Sequence, residues 1–103
     1  MPQVKVSIPH HLSQDGAVTR IKNLVPRLKQ KYGNRITDVR ERWDGSAAEF
    51  GFRIKGIFPI SVSGQLNVSE ESVTISGNLP AIAGPFQGEI EETIRSEAEK
   101  LLS

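Results

Sequence analysis

Two histidines stand side by side in Ile8-Pro9-His10-His11-Leu12-Ser13, and they are the only histidines of a chain without cysteine. Imidazoles can ligate metal ions or relay protons near neutral pH. Adjacent residues on extended backbone point to opposite sides, however, so His10 and His11 do not readily share one ion. With no third imidazole and no thiolate, a metal centre would have to draw on distant carboxylates, and none is expected. His11 is the one weak candidate for a catalytic base; its other reading is structural, bonding the nearby helix start or a facing strand. The acidic pairs Glu70-Glu71 and Glu91-Glu92 fall on a turn and an exposed helix face, where nothing brings two carboxyls to one pocket with separated pKa values. The nine glycines form neither GxGxxG nor a GxxxxGK(S/T) phosphate loop, and no serine sits in a GxSxG elbow. No cofactor is expected.

Charge narrows the partners. Thirteen Lys and Arg against twelve Asp and Glu leave a net of +1, too little to gather nucleic acid or an anionic membrane. The distribution is uneven: eight basic residues against two acids between Arg20 and Arg42, then five Glu against Arg95 and Lys100 after Phe86. Solvated helix faces commonly look like this, and self-association or an acidic partner is the sharper reading. Nucleic-acid binding would draw on Arg20, Arg27, Lys31 and their neighbours, but stacking aromatics are missing there apart from Tyr32 and Trp43, which belong to the core. No segment approaches the roughly 20 apolar residues of a membrane span, and the N-terminus lacks the pattern of a signal peptide. A single soluble domain, residues 1–103, in the cytoplasm is expected.

The elements that position these residues follow from periodicity. Val4, Val6 and Ile8 alternate with polar residues as in a half-buried strand, which Pro9 ends. Ser13 is a plausible N-cap with Asp15 in the first turn. Ala17, Ile21, Leu24, Leu28 and Tyr32 recur at helical spacing, and Gly33 is a stop. Pro26 lies opposite that stripe, so one helix over 14–32, kinked around 22–26, is predicted. A weaker strand over 36–43, with Val39 and Trp43 on one face with Thr37 and Glu41, belongs near a sheet edge and turns at Asp44-Gly45. Ala48, Phe50, Phe52 and Ile54, then Phe58, Ile60, Val62, Leu66 and Val68, then Val73, Ile75 and Leu79 alternate through three more strands. A second helix over about 86–102 carries the stripe Phe86, Ile90, Ile94, Ala98 and Leu101, with Glu91 and Arg95 paired and Glu97 close to the stripe in need of a partner or an exposed rim. The order β-α-β-β-β-β-α reads as an α+β two-layer sandwich: a curved antiparallel five-stranded sheet with two helices on one face.

The other sheet face exceeds the ordinary. It carries Ser61, Ser63, Gln65 and Asn67 on one strand and Ser72, Thr74, Ser76 and Asn78 on the next. A solvated sheet usually carries Lys and Glu, which resist association; small uncharged polar residues admit another surface. Plain solvent exposure is the competing reading.

"LPAIAGPFQGEIE" at 79–91, with "HLSQDGA" at 11–17 and "YG" at 32–33, resembles the small proteins of the polyhydroxyalkanoic acid system family, along nearly the whole chain. Gly16 stands where that pattern has Glu. The resemblance implies an association with polyhydroxyalkanoate storage granules or their metabolism in bacteria, and it transfers no catalytic residue. His11, Leu12, Ser13, Leu79, Pro80 and Ile90 match its two conspicuous blocks and look structural. Three functions follow as expectations. The first is a non-enzymatic module binding a granule or protein partner, or a second copy, through Ser61, Ser63, Gln65, Thr74, Ser76 and Asn78. The second is a binder of a small apolar, acyl-type ligand held between sheet and C-terminal helix by Phe50, Phe52, Phe58, Ile60, Ile90 and Ile94. The third is an enzyme on hydroxyacyl substrates that uses His11 as base.

Overall fold

In the computed structural model, which describes residues 3–56 and 59–103, five antiparallel strands form one sheet. They are β1 (Gln3–Pro9), β2 (Ile36–Asp44), β3 (Ala47–Ile54), β4 (Ile60–Val68) and β5 (Ser72–Asn78). Their order across the sheet is β1-β5-β4-β3-β2, so the first strand closes beside the last and β1 and β2 are the two edges. Helices α1 (Gln14–Ile21), α2 (Leu24–Tyr32) and α3 (Gln87–Leu102) cover one face. The expected α+β architecture and element order are present. Between the layers lie Val4, Val6, Ile8, Ile21, Leu28, Val62, Leu66, Val73, Ile75 and Ile94, all buried. Removing such side chains from water is the main favourable term of the fold.

Three expectations are corrected. The helix over 14–32 is two helices: Lys22 and Asn23 break it, and the Asn23 carbonyl accepts the Arg27 N–H at 2.9 Å to start α2. Pro26 thereby falls in the first turn of α2, where a missing N–H costs no helical bond. Phe86 is not part of a buried stripe. It ends a 3-10 turn over Ala81–Phe86, whose three-residue repeat does not continue the α3 stripe, and it is 51% exposed. The rest of the expected stripe does pack inward, with Ile94 and Ala98 buried and Ile90 and Leu101 half-buried, and Glu97 and Leu102 are buried beside it.

The third correction concerns β2. Its ladder with β3 pairs Thr37 with Arg53 but Arg40, not Val39, with Gly51, a bulge of one extra residue at which Asp38 takes a left-handed φ of 54°. Thr37 therefore does not share a face with Glu41 and Trp43. Ile36 and Trp43 are seven residues apart, an odd spacing that a regular strand cannot turn to one face. The bulge lets both face the helices while Arg40 and Arg42 turn out.

Candidate functional site: the open sheet face

Strand alternation and register assemble the face away from the helices. One rung runs Lys5, Ser76, Gln65, Glu49 and Arg42 across all five strands; the next runs Gln3, Asn78, Ser63, Gly51 and Arg40. Together they bound an open trough of about 740 Å³. Ser63, Gln65, Thr74, Ser76 and Asn78 line it, Lys5 and Glu49 flank it, and Ser61 lies in an adjoining trough of about 320 Å³ with Asp38, Val39, Arg40, Phe52 and Arg53. Part of the larger trough's floor is bare backbone, because Gly64 pairs with Gly77 there. A Cβ on Gly64 would come within 2.1 Å of the Ser76 carbonyl oxygen and 2.7 Å of the Gly77 Cα. Only glycine lets these strands meet at that rung.

Beneath the sheet the expected ligand residues are brought together only in part. Phe50, Phe52 and Ile94 border a gap against α1 and α2, Ile60 and Ile90 do not line it, and Phe58 lies outside the described residues. The gap holds about 20 Å³, room for about one water and not for an acyl chain. The Phe50 and Phe52 rings stack at 6.3 Å and fill the space between.

The histidines divide sharply. His10 is buried; its Nε2–H donates to the Ser69 carbonyl at 2.9 Å and its Nδ1 accepts the Leu12 N–H at 3.1 Å, which together define one neutral tautomer. Its backbone N–H donates to the Glu71 carbonyl, and Gln14 Nε2 donates to the Val68 carbonyl at 3.0 Å. The corner between β1 and α1 is thus clamped to the β4–β5 turn. Ser13 caps α1 by accepting the Gly16 N–H at 3.0 Å. His11 is exposed and makes no side-chain hydrogen bond among the described residues, so the bonding foreseen for it belongs to His10. Among the described residues no three His, Asp or Glu side chains gather where they could hold a metal ion.

The buried ionic group is Glu97, whose side chain is 3% exposed. Its carboxylate accepts Arg27 Nε at 2.5 Å and Lys31 Nζ at 2.8 Å, with Lys100 Nζ at 3.7 Å. The Lys31 and Arg27 hydrogen bonds outweigh burial and hold its pKa down, to about 2, while the bond to Glu97 raises that of Lys31. Arg20 Nη1 also donates to the Ser103 carbonyl at 2.9 Å. Part of the basic helical surface therefore docks α3 within the same chain. Glu91 bonds to the Lys5 N–H at 3.1 Å, and among the described residues no ion pair joins it to Arg95. No helix of the described residues is long and apolar enough to cross a membrane.

The family model described as "Putative polyhydroxyalkanoic acid system protein" matches residues 4–102. The chain belongs to that family. No curated protein matches the chain. Among solved structures this family member is similar to DynU16, a putative protein in the dynemicin biosynthetic locus, with 12% identity and a TM-score of 0.61 over 97% of the chain. It spans 46% of DynU16, so the likeness extends to about half of that protein and concerns the fold alone. Thermus thermophilus TTHA0849 and Ara h 8.0201 also match, each at 10% identity and TM-score 0.43, over 98% of this chain and 92% and 97% of theirs.

Proposed function

We propose that this member of the polyhydroxyalkanoic acid system family is a non-catalytic binding module that sits at the storage-granule surface and receives an extended polyester chain in the trough of its open sheet face. The observation that carries the reading is the lining of that trough, where Ser63, Gln65, Thr74, Ser76 and Asn78 offer hydroxyl and amide donors. A polyester has ester carbonyls that accept hydrogen bonds and no donors of its own, so its complement is a row of donors. Neutral donors are cheaper to dehydrate than ammonium or guanidinium groups. Strand geometry spaces them by about 6.6–6.8 Å along a strand and about 4.8 Å between strands, a regular array suited to a repeating chain. Co-sedimentation with polyhydroxybutyrate particles tests this. Replacing Ser63 and Thr74 together by Glu should leave the melting temperature nearly unchanged and reduce the bound fraction several-fold; undiminished binding would overturn the reading.

A second copy of the chain is the alternative occupant, favoured by one arrangement. Lys5 and Glu49 stand on the same rung with Ser76 and Gln65 between them. A two-fold axis parallel to the strands and passing between β4 and β5 would set each Lys5 opposite the Glu49 of the second copy. If so, Lys5→Glu should give monomers in sedimentation equilibrium, and adding Glu49→Lys should restore the dimer.

A further inference from the structure

We propose that the bulged corner of β2 is an oxyanion site in which Arg40 and Arg53 receive a carboxylate terminus, with Ser61 as a neutral donor. The bulge is what turns Arg40 onto the open face, opposite Gly51. Its guanidinium lies over Gly51: a Cβ there would be in ordinary contact with it, 3.4 Å from one terminal nitrogen of Arg40 and 3.7 Å from its Nε. Arg53, between Thr37 and Ser61, occupies the neighbouring rung. The acid at the corner is Asp38, 3.7 Å from Arg53 Nη1, and Arg40 makes no ion pair among the described residues. Two guanidinium groups against one carboxylate leave a positive charge in a trough of about 320 Å³. Guanidinium binds carboxylate and phosphate oxygens in pairs, so charge alone admits either. Val39, 40% exposed on the same wall, offers an apolar surface that suits the alkyl end of a small organic acid.

The assignment of that acid to the end of a hydroxyalkanoate chain rests on the polyester reading above, whereas the oxyanion site stands on its own geometry. NMR titration of the ¹⁵N-labelled full chain separates the two. With 3-hydroxybutyrate at low ionic strength, amide shifts should centre on Arg40, Gly51, Arg53 and Ser61, and the methyl ester should leave them unmoved. Arg40→Gln should weaken binding by about tenfold, the loss of one paired contact. Arg42→Gln, on the same strand opposite Glu49, should change it little. Silence toward both 3-hydroxybutyrate and inorganic phosphate would overturn the site, as would equal losses in the two variants. Binding of phosphate without the acid would overturn its assignment to a carboxylate. Binding of the acid in a protein that ignores polyester particles would leave this site standing and remove only the earlier reading.

Discussion

The two edges of the sheet are protected in different ways. A free edge strand offers unpaired N–H and C=O groups to any other strand. At β1 the protection comes from another element: α3 runs alongside, Gln87 Nε2 donates to the Gln3 carbonyl and Glu91 accepts the Lys5 N–H. Those two side chains are one helical turn apart and occupy the groups an incoming strand would use. At β2 a helix reaches only the first residue, where Lys29 of α2 donates to the Ile36 carbonyl at 2.6 Å, and beyond it the strand protects itself with a bulge, an Asp in left-handed backbone and a line of charged side chains. The cover at β1 occupies backbone groups and leaves the Gln3 and Lys5 side chains on the open face. The edge left open has side chains available for a ligand: Arg40 lies on β2, with Arg53 beside it on β3.

The largest way to break this comparison is to insert one residue after Arg40. With the bulge kept, Arg42 would turn toward the core and Trp43 out of it, and with the bulge straightened Arg40 would turn in, at a cost of about 4 kcal/mol or more, and the cooperative thermal transition should be lost. Asp38→Gly keeps the bulge and relieves the left-handed φ, so it should stay within about 1 kcal/mol of the parent.

Next in size is Glu97→Ala, which leaves Arg27, Lys31 and Lys100 facing one another and should cost about 3 kcal/mol by chemical denaturation. Because the folded pKa of Glu97 is lowered from 4.5 to about 2, its contribution is complete above the unfolded value and is lost as pH falls through that window. Melting temperatures taken between pH 5 and pH 2 should fall less steeply in Glu97→Gln than in the parent.

Removing the cover of β1 is a smaller perturbation. Glu91→Ala should cost about 1 kcal/mol and selectively speed hydrogen exchange of the Lys5 amide. Smallest is Arg40→Gln, within about 0.5 kcal/mol, since its side chain is exposed and unpaired by any carboxylate among the described residues. A stability loss as large as that of Glu91→Ala would mean the open edge is structural after all.

Much of this architecture is legible in the sequence because alternation and helical spacing are local signals. Val4 to Ile8, Ala48 to Ile54 and Val73 to Leu79 declare their faces without help, and Ser13 declares its cap. The interior demand for a charge partner is also visible in Glu97, since a carboxylate beside an apolar stripe cannot stay unpaired. What depends on strand order is not visible. Nothing near Gln87 or Glu91 says that β1 lies beside α3, and nothing near His10 says that Ser69 and Glu71 fold against it. The bulge left a trace that periodicity alone obscures: Val39 alternates with Trp43, while Ile36 needs the opposite phase. Only the buried Ile36, set against Trp43 facing the helices, decides between them. The open face was legible as a set of residues, and its curvature into two troughs comes from the sheet as a whole.

The placement of β1 between β5 and α3 has a consequence for biosynthesis. Both of its partners lie toward the C-terminus, so the first made of these five strands is the last to be paired. At roughly 5–20 residues per second, Val4, Val6 and Ile8 wait several seconds for β5 to be made. During that interval the buried histidine has no carbonyl to bind and the strand has no neighbour. Lys5 and Pro9, ordinary residues in the finished sheet, are then the charge and the chain break that keep a nascent apolar strand from pairing with the wrong one.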